Sequence, residues 1–369
     1  MPDDITPHTS PIATGGEHTW FPPAQDDNQL QSRPPASGLR YVFFGADGLR
    51  AGWSLLLFLL ITYVLAAAGI LLARRLTGTT YTPKRGLAAH PLSVWLYTHG
   101  IPLGAALLAA AGMSRVERRP MARYGLGTLQ GRTGQALYGF VSGLITFSLL
   151  VGVLWWRHLL VFDAKLLSGA AMLQWGVVWL LTFMCIGMSE EYLTRGYAQF
   201  TLSRGLAGIA GALGASDTVR KRVGFWCAAL FFSYLFGFGH KSNPGESPVG
   251  LWAAGLIGLV FAFSLWRTGS LWWAIAWHGA WDWAESFLYG TADSGNAILH
   301  PLWQTHPQGP TLLSGGLTGP EGSVFVLAAI ALTATQIALT LKSQRGAPSF
   351  LATWPTKPDV YGSGSPAQA

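Results

Sequence analysis

The sequence predicts an all-α, polytopic membrane protein. Half of its 369 residues are hydrophobic and only 11% are charged, against roughly 25% charged in a soluble domain. The apolar residues also gather in runs comparable to the roughly 20 helical residues needed to cross about 30 Å of hydrocarbon.

Eight such runs follow one another. Ala51 to Ala73 and Leu92 to Met113 carry no obvious chemistry and are expected to embrace the core, and Ala136 to Trp156 is a third plain span. Gly169 to about Leu202 is too long for one perpendicular crossing and predicts a tilted helix running past Glu190 toward Arg204. Val223 to His240 runs into Asn243-Pro244-Gly245, a sequence that breaks regular structure. Val249 to Trp266, Ser270 to Tyr289 and Val324 to Leu341 complete the set, with Thr311 to Ser323 expected as an ordered outer loop capping the bundle. The organisation is therefore a disordered tail over 1–45, an eight-helix transmembrane domain over 46–344 and a second disordered tail over 345–369. Pro, Asp, Gln and Ser content marks the first tail.

The net charge of +7 is better explained by the positive-inside rule than by nucleic acid. With the amino terminus in the cytoplasm, most of the 24 basic residues fall on the inner side, including Arg115, Arg118, Arg119, Arg123, Arg132, Arg220, Lys221 and Arg222. Arg74, Arg75, Lys84 and Arg85 in the first outer loop run against this. The expected location is the cell membrane, multi-pass, with both termini cytoplasmic. Cys185 and Cys227 both fall in predicted helices and offer no disulfide framework.

Ionised groups at bilayer depth cost about 3 kcal/mol on insertion scales and usually face a cavity or one another. Three apolar segments nevertheless carry Glu190-Glu191-Tyr192-Leu193-Thr194-Arg195, Phe236-Gly237-Phe238-Gly239-His240 and His278-Gly279-Ala280-Trp281-Asp282. At a rise of 1.5 Å per residue, Glu190, His240, His278 and Asp282 reach similar depths, provided that the fourth helix extends past Glu190. Residues four apart share a helix face, so Glu191 can pair with Arg195 while Glu190 points about 100° away. His278, Asp282 and Glu285 form one polar stripe among Trp272, Trp273, Trp277, Trp281 and Trp283, which read as packing and interface residues rather than a cofactor box. A break in regular structure at membrane depth is tolerated where it is buried in protein or lines a wet cavity, which favours a water-filled site near His240.

The motif order EExxxR, FxxxH, HxxxD over roughly Gly169 to Gly290 resembles the CPBP family. That family holds the intramembrane glutamic endopeptidases, including the type II CAAX prenyl endopeptidases and bacterial Abi-like relatives. The resemblance implies a protease core of about 169–290 with a polar intramembrane cavity and a membrane-associated protein or peptide substrate, with or without a lipid. It assigns Glu190 as base and later proton donor, His240 as the residue orienting water and His278 as oxyanion stabiliser. Glu191 and Arg195 would position Glu190, and Phe236 opens the FxxxH motif. Asp282 departs from the Asn of the eukaryotic-type enzymes; an ionised Asp has no hydrogen to donate, so its expected part is to fix the tautomer of His278 or to act while protonated. No cofactor is expected.

Three other readings stand beside this one. Glu190, His240 and His278 have the chemistry of zinc ligands, although no HExxH helix is present. Membrane-embedded Glu, His and Asp also serve proton-coupled transporters; such proteins often contain internal repeats, and no convincing repeat is found here. A catalytically idle membrane scaffold or immunity protein is the third, against which the complete polar set argues.

Overall fold

The computed structural model describes residues 38–45, 48–79, 91–130 and 132–341. Residues 1–37 of the first expected tail, and all of the second, lie outside the described residues. Residues 38–45 form a short helix, Leu39–Phe43, and half of a two-residue β-ribbon.

Helices dominate: α1 Ala51–Thr77, α2 Leu92–Glu117, α3 Thr133–Trp156, α4 Gly169–Arg195, α5 Tyr197–Ala212, α6 Asp217–Gly239, α7 Pro248–Thr268, α8 Trp272–Trp283 and α9 Val326–Thr340. Taking α4 and α5 as one helical stretch, six among the described residues are long and apolar enough to cross a membrane. The seventh expected span is 12 α-helical residues continued by a five-residue π-helix, Ala284–Leu288, and the eighth is 15 residues long. The chain is an all-α polytopic membrane protein. Its first helix makes the solvent plain: α1 buries Ser54, Phe58 and Thr62 and exposes Leu56, Leu57, Leu59 and Leu60, a face suited to lipid rather than water.

The fourth span differs from its expectation. The helix runs past Glu190 but breaks at Gly196, whose backbone (ψ −123°) leaves helical geometry before α5 begins. A Cβ at Gly196 would stand 2.4 Å from the Tyr192 carbonyl oxygen, so the turn needs glycine. Tyr197 then packs with Phe58 and Tyr124 around this turn. Arg204 of α5 pairs with Glu117 at 3.0 Å and reaches Ser54 Oγ at 3.2 Å, tying α5 to α2 and α1.

Glycine-mediated crossings bring the polar helices together. Gly139 and Gly143 of α3, spaced as GxxxG, lie against the Trp273 and Trp277 carbonyls of α8, where an added Cβ would be 2.3 Å away. Such small residues let helices approach closely in lipid, where packing rather than water drives association. On its other side α8 crosses α4: a Cβ at Gly187 would meet the Gly279 nitrogen at 3.1 Å, and one at Gly279 the Met184 sulfur at 2.7 Å. The tryptophans of α8 are packing residues, with Trp273, Trp277 and Trp281 buried and the rings of Trp277 and Trp281 stacked at 4.8 Å.

Outside the helices, β1 Leu160–Lys165 pairs antiparallel with β2 Trp303–Pro307, with Leu160 opposite Pro307 and Lys165 opposite Trp303. This ribbon was not expected from sequence. It fastens the α3–α4 link to the long connection between α8 and α9. Part of that connection, Thr311 to Ser323, folds into short helical turns, and Thr318 Oγ1 donates to the Gly245 carbonyl at 2.8 Å.

Candidate active site

The α4–α8 crossing sets Glu190 and Glu191 beside His278, and α6 delivers Phe236 and His240 from a third side. Ser247 closes the turn after His240: its Oγ accepts from the Gly250 nitrogen at 3.0 Å and Pro248 follows as the first residue of α7, a favourable helix start. Together these elements enclose a cavity of about 480 Å³, whose lining includes Glu190, Phe236, His240, His278 and Asp282. All four residues expected to act in chemistry therefore share one space.

Glu191 is wholly buried and fully engaged. Its Oε2 accepts from Arg195 Nη1 at 2.8 Å and its Oε1 lies 2.9 Å from His278 Nδ1. The expected i,i+4 pair with Arg195 is present, and the same carboxylate orients the histidine of another helix. Arg195 also donates through Nε to the Gly258 carbonyl at 3.1 Å and lies between the Phe236 and Phe261 rings, 4.8 and 5.5 Å from their centroids. A buried guanidinium is tolerable because its charge is paired and its face meets aromatic rings.

Glu190 is the opposite case. It is partly exposed to the cavity, with Oε1 3.8 Å from His99 Nε2 and Oε2 3.8 Å from His278 Nε2. Both separations exceed a direct hydrogen bond and suit a water held between the groups. His240 Nδ1 is 2.7 Å from the Phe236 carbonyl; donation from Nδ1–H leaves Nε2 as the ring nitrogen open to a water. Asp282 Oδ2 stands 3.6 Å from His278 Nε2. The tautomer-fixing contact expected of Asp282 is thus made by Glu191, and Asp282 faces the other nitrogen.

Several lining residues were missed in the sequence. His99 of α2 faces Glu190, so the second helix contributes a polar group to the cavity; an isolated histidine in the apolar run Leu92 to Met113 was the available signal. Asp293, Ser294 and Asn296 come from the α8–α9 connection and Glu321 from its last turn. Glu321 is held by Trp281 Nε1 at 2.7 Å and Ser294 Oγ at 2.6 Å. Burial, followed by the Asp282, Glu321 and Glu190 charges, pushes the Asp293 carboxyl well above the usual carboxylate range, with His278 pulling the other way. Among the described residues, Glu285, Asp293 and Glu321 gather one ligand-type atom each within 4.8 Å of one another, a set distinct from the Glu190, His240 and His278 weighed as zinc ligands.

Residues 172–284 match the protein family described as Type II CAAX prenyl endopeptidase Rce1-like. The matched stretch runs from α4 to α8 and contains every residue of the three motifs. Motif order and family match point to the same similarity for this segment, and the apolar helices make the chain a membrane protein in contact with the bilayer. No curated protein and no solved structure matches the chain.

Proposed function

We propose that the protein is an intramembrane endopeptidase that hydrolyses a peptide bond of a membrane-associated protein or peptide with water activated by Glu190. One observation carries the reading. Of two adjacent glutamates, Glu191 is locked between Arg195 and His278 while Glu190 faces the cavity without a direct hydrogen bond to either histidine near its carboxylate.

In this mechanism Glu190 takes a proton from a water held with His240, and the water oxygen forms a bond to the scissile carbonyl carbon. The resulting oxyanion is stabilised by His278 Nε2–H. Because Nδ1–H is directed to Glu191, a proton on Nε2 makes the ring an imidazolium, and Asp282 serves as its second counter-ion. This gives Asp282 a part that an Asn amide would not need. Glu190 then returns its proton to the nitrogen as the C–N bond breaks. His99 steadies the second oxygen of Glu190.

With the orientation favoured by the basic residues, both termini lie in the cytoplasm. The cavity then sits toward the outer half of the membrane. The reading uses no cofactor.

The test is cleavage of a quenched fluorescent peptide library by detergent-purified wild type and Glu190→Gln, each with and without 1,10-phenanthroline. Cleavage by wild type alone, insensitive to the chelator, is expected. Equal rates in the two proteins would overturn the assignment of Glu190, and loss of wild-type activity to this zinc chelator would move Glu190, His240 and His278 into a metal site.

A further inference from the structure

Glu285 poses a problem that the peptidase chemistry does not solve. Its side chain is wholly inaccessible, and neither carboxylate oxygen accepts a hydrogen bond. A buried carboxylate without a partner is costly. The indole N–H of neighbouring Trp281 goes to Glu321. Glu285, Asp293 and Glu321 nevertheless turn one oxygen each toward a common point, with all three atoms within 4.8 Å of one another.

We infer that Glu285, Asp293 and Glu321 bind a hard divalent cation, with Ca²⁺ the best fit. The donors are all oxygens, which suit hard cations rather than zinc or copper. Metal–oxygen distances of about 2.3–2.6 Å for Ca²⁺ allow two ligands on opposite sides to stand about 4.8 Å apart. The lining of the adjoining cavity contains three histidines and no Lys or Arg, so the described residues place no fixed side-chain cation there. The backbone closes tightly around Glu285 as well. Gly319 (φ +98°) passes so close that a Cβ would lie 1.9 Å from the Ala292 carbonyl oxygen and 3.3 Å from Glu285 Oε1.

The three ligands come from separate segments: the π-helical turn after α8, the loop that follows it and the last turn before α9. The framework that holds them is already built. Thr291 donates from its nitrogen and its Oγ1 to the Glu285 carbonyl, Gly295 from its nitrogen to the Thr318 carbonyl, and Ser294 to Glu321. An ion at this point fastens the α8–α9 connection to α8, three residues beyond Asp282. Glu190 and His240 are not among its ligands, although they line the same cavity as Asp293 and Glu321, so the site and the peptidase reading can fail separately.

The experiment uses the full chain in detergent, stripped with EDTA and passed through a chelating resin. Equilibrium dialysis with ⁴⁵Ca²⁺ is expected to find about one ion per chain in wild type and Glu190→Gln, and none in Asp293→Asn or Glu285→Gln. Added CaCl₂ is expected to raise the melting temperature of the first two proteins and not of the last two, with MgCl₂, MnCl₂ and ZnCl₂ as comparison arms. If Glu285→Gln fails to fold, Asp293→Asn and Glu321→Gln carry the comparison, and the wild-type dialysis stands without any variant. No bound Ca²⁺, Mg²⁺ or Mn²⁺ in wild type would overturn the inference and leave Glu285 a neutral buried acid. So would a thermal shift seen with Zn²⁺ alone and removed by His240→Ala. Ion binding without peptide cleavage would sink only the peptidase reading.

Discussion

The α4–α8 crossing and the connection between α8 and α9 both place carboxylates against the same cavity, yet they treat them differently. At the crossing, Glu191 has a partner on each oxygen, Arg195 and His278, and every group rides on a helix fixed by glycine contacts. In the connection, Glu285 has none, and Asp293 and Glu321 crowd toward it from loop segments. The first arrangement spends its carboxylate on holding a histidine still. The second collects negative charge with no fixed countercharge, which is the signature of a site that takes its cation from outside.

The largest expected effect breaks the division of labour at the crossing. Glu190→Gln should lower peptide cleavage by about 10³-fold, the order expected for loss of a general base, while leaving the melting temperature within about 1 °C of wild type. Arg195→Leu should act mainly on stability. Removing one partner of a buried pair costs about 3–5 kcal/mol, so thermal or denaturant unfolding in detergent should show a large loss of stability. The double variant Glu191→Gln/Arg195→Leu should be less damaging than the sum of its singles, because it leaves no charge stranded. A fully additive result would mean that the two side chains do not act as a unit.

How far these regions could be read in advance follows from the range of the interactions. The Glu191–Arg195 pair was legible because i,i+4 spacing on one helix fixes who meets whom, and counting residues along the helices led to the expectation of similar depths for Glu190, His240 and His278, which line one cavity. The Glu191–His278 bond was not, since it depends on where α4 crosses α8, and Gly187 and Gly279 decide that only once both helices are in place. The Gly196 break was hidden by apolar character that continues through it into α5. Glu321 and Asp293 gave no periodic signal at all, being loop residues brought to the cavity by contacts such as Gly295 to Thr318.

Smaller changes sharpen the comparison. Gly279→Val places two methyl groups, beyond a Cβ already 2.7 Å from the Met184 sulfur, into the crossing; overpacking of this kind costs about 1–3 kcal/mol. Both melting temperature and cleavage should fall, because displacing α8 from α4 moves His278 away from Glu190. His99→Ala, on the cavity wall beside Glu190, should leave stability nearly unchanged and reduce kcat/KM about tenfold, equivalent to about 1.4 kcal/mol in the transition state. An effect on KM alone would make His99 a substrate contact rather than a positioning residue.

The smallest effect belongs to the turn between α6 and α7, which is bonded to the α8–α9 connection through the Gly245 carbonyl. Burial pushes the Glu246 carboxyl up to about 7, with the Glu321 charge adding to the rise and the Ser247 N–H bond and His240 opposing it. The folded chain therefore binds this proton more tightly than the unfolded chain, whose carboxyl titrates near its ordinary value of about 4.3. The resulting contribution to stability is full below that value and is lost as the pH rises through about 7. Melting curves from pH 4 to 8 should accordingly fall more steeply for wild type than for Glu246→Gln, whose amide keeps the neutral form at every pH, so that the variant is the more stable protein at pH 8. Parallel curves would mean that Glu246 is solvated as an ordinary surface carboxylate. They would leave any shared fall to other carboxyls such as Asp293, raised by burial and then by the Asp282 and Glu321 charges.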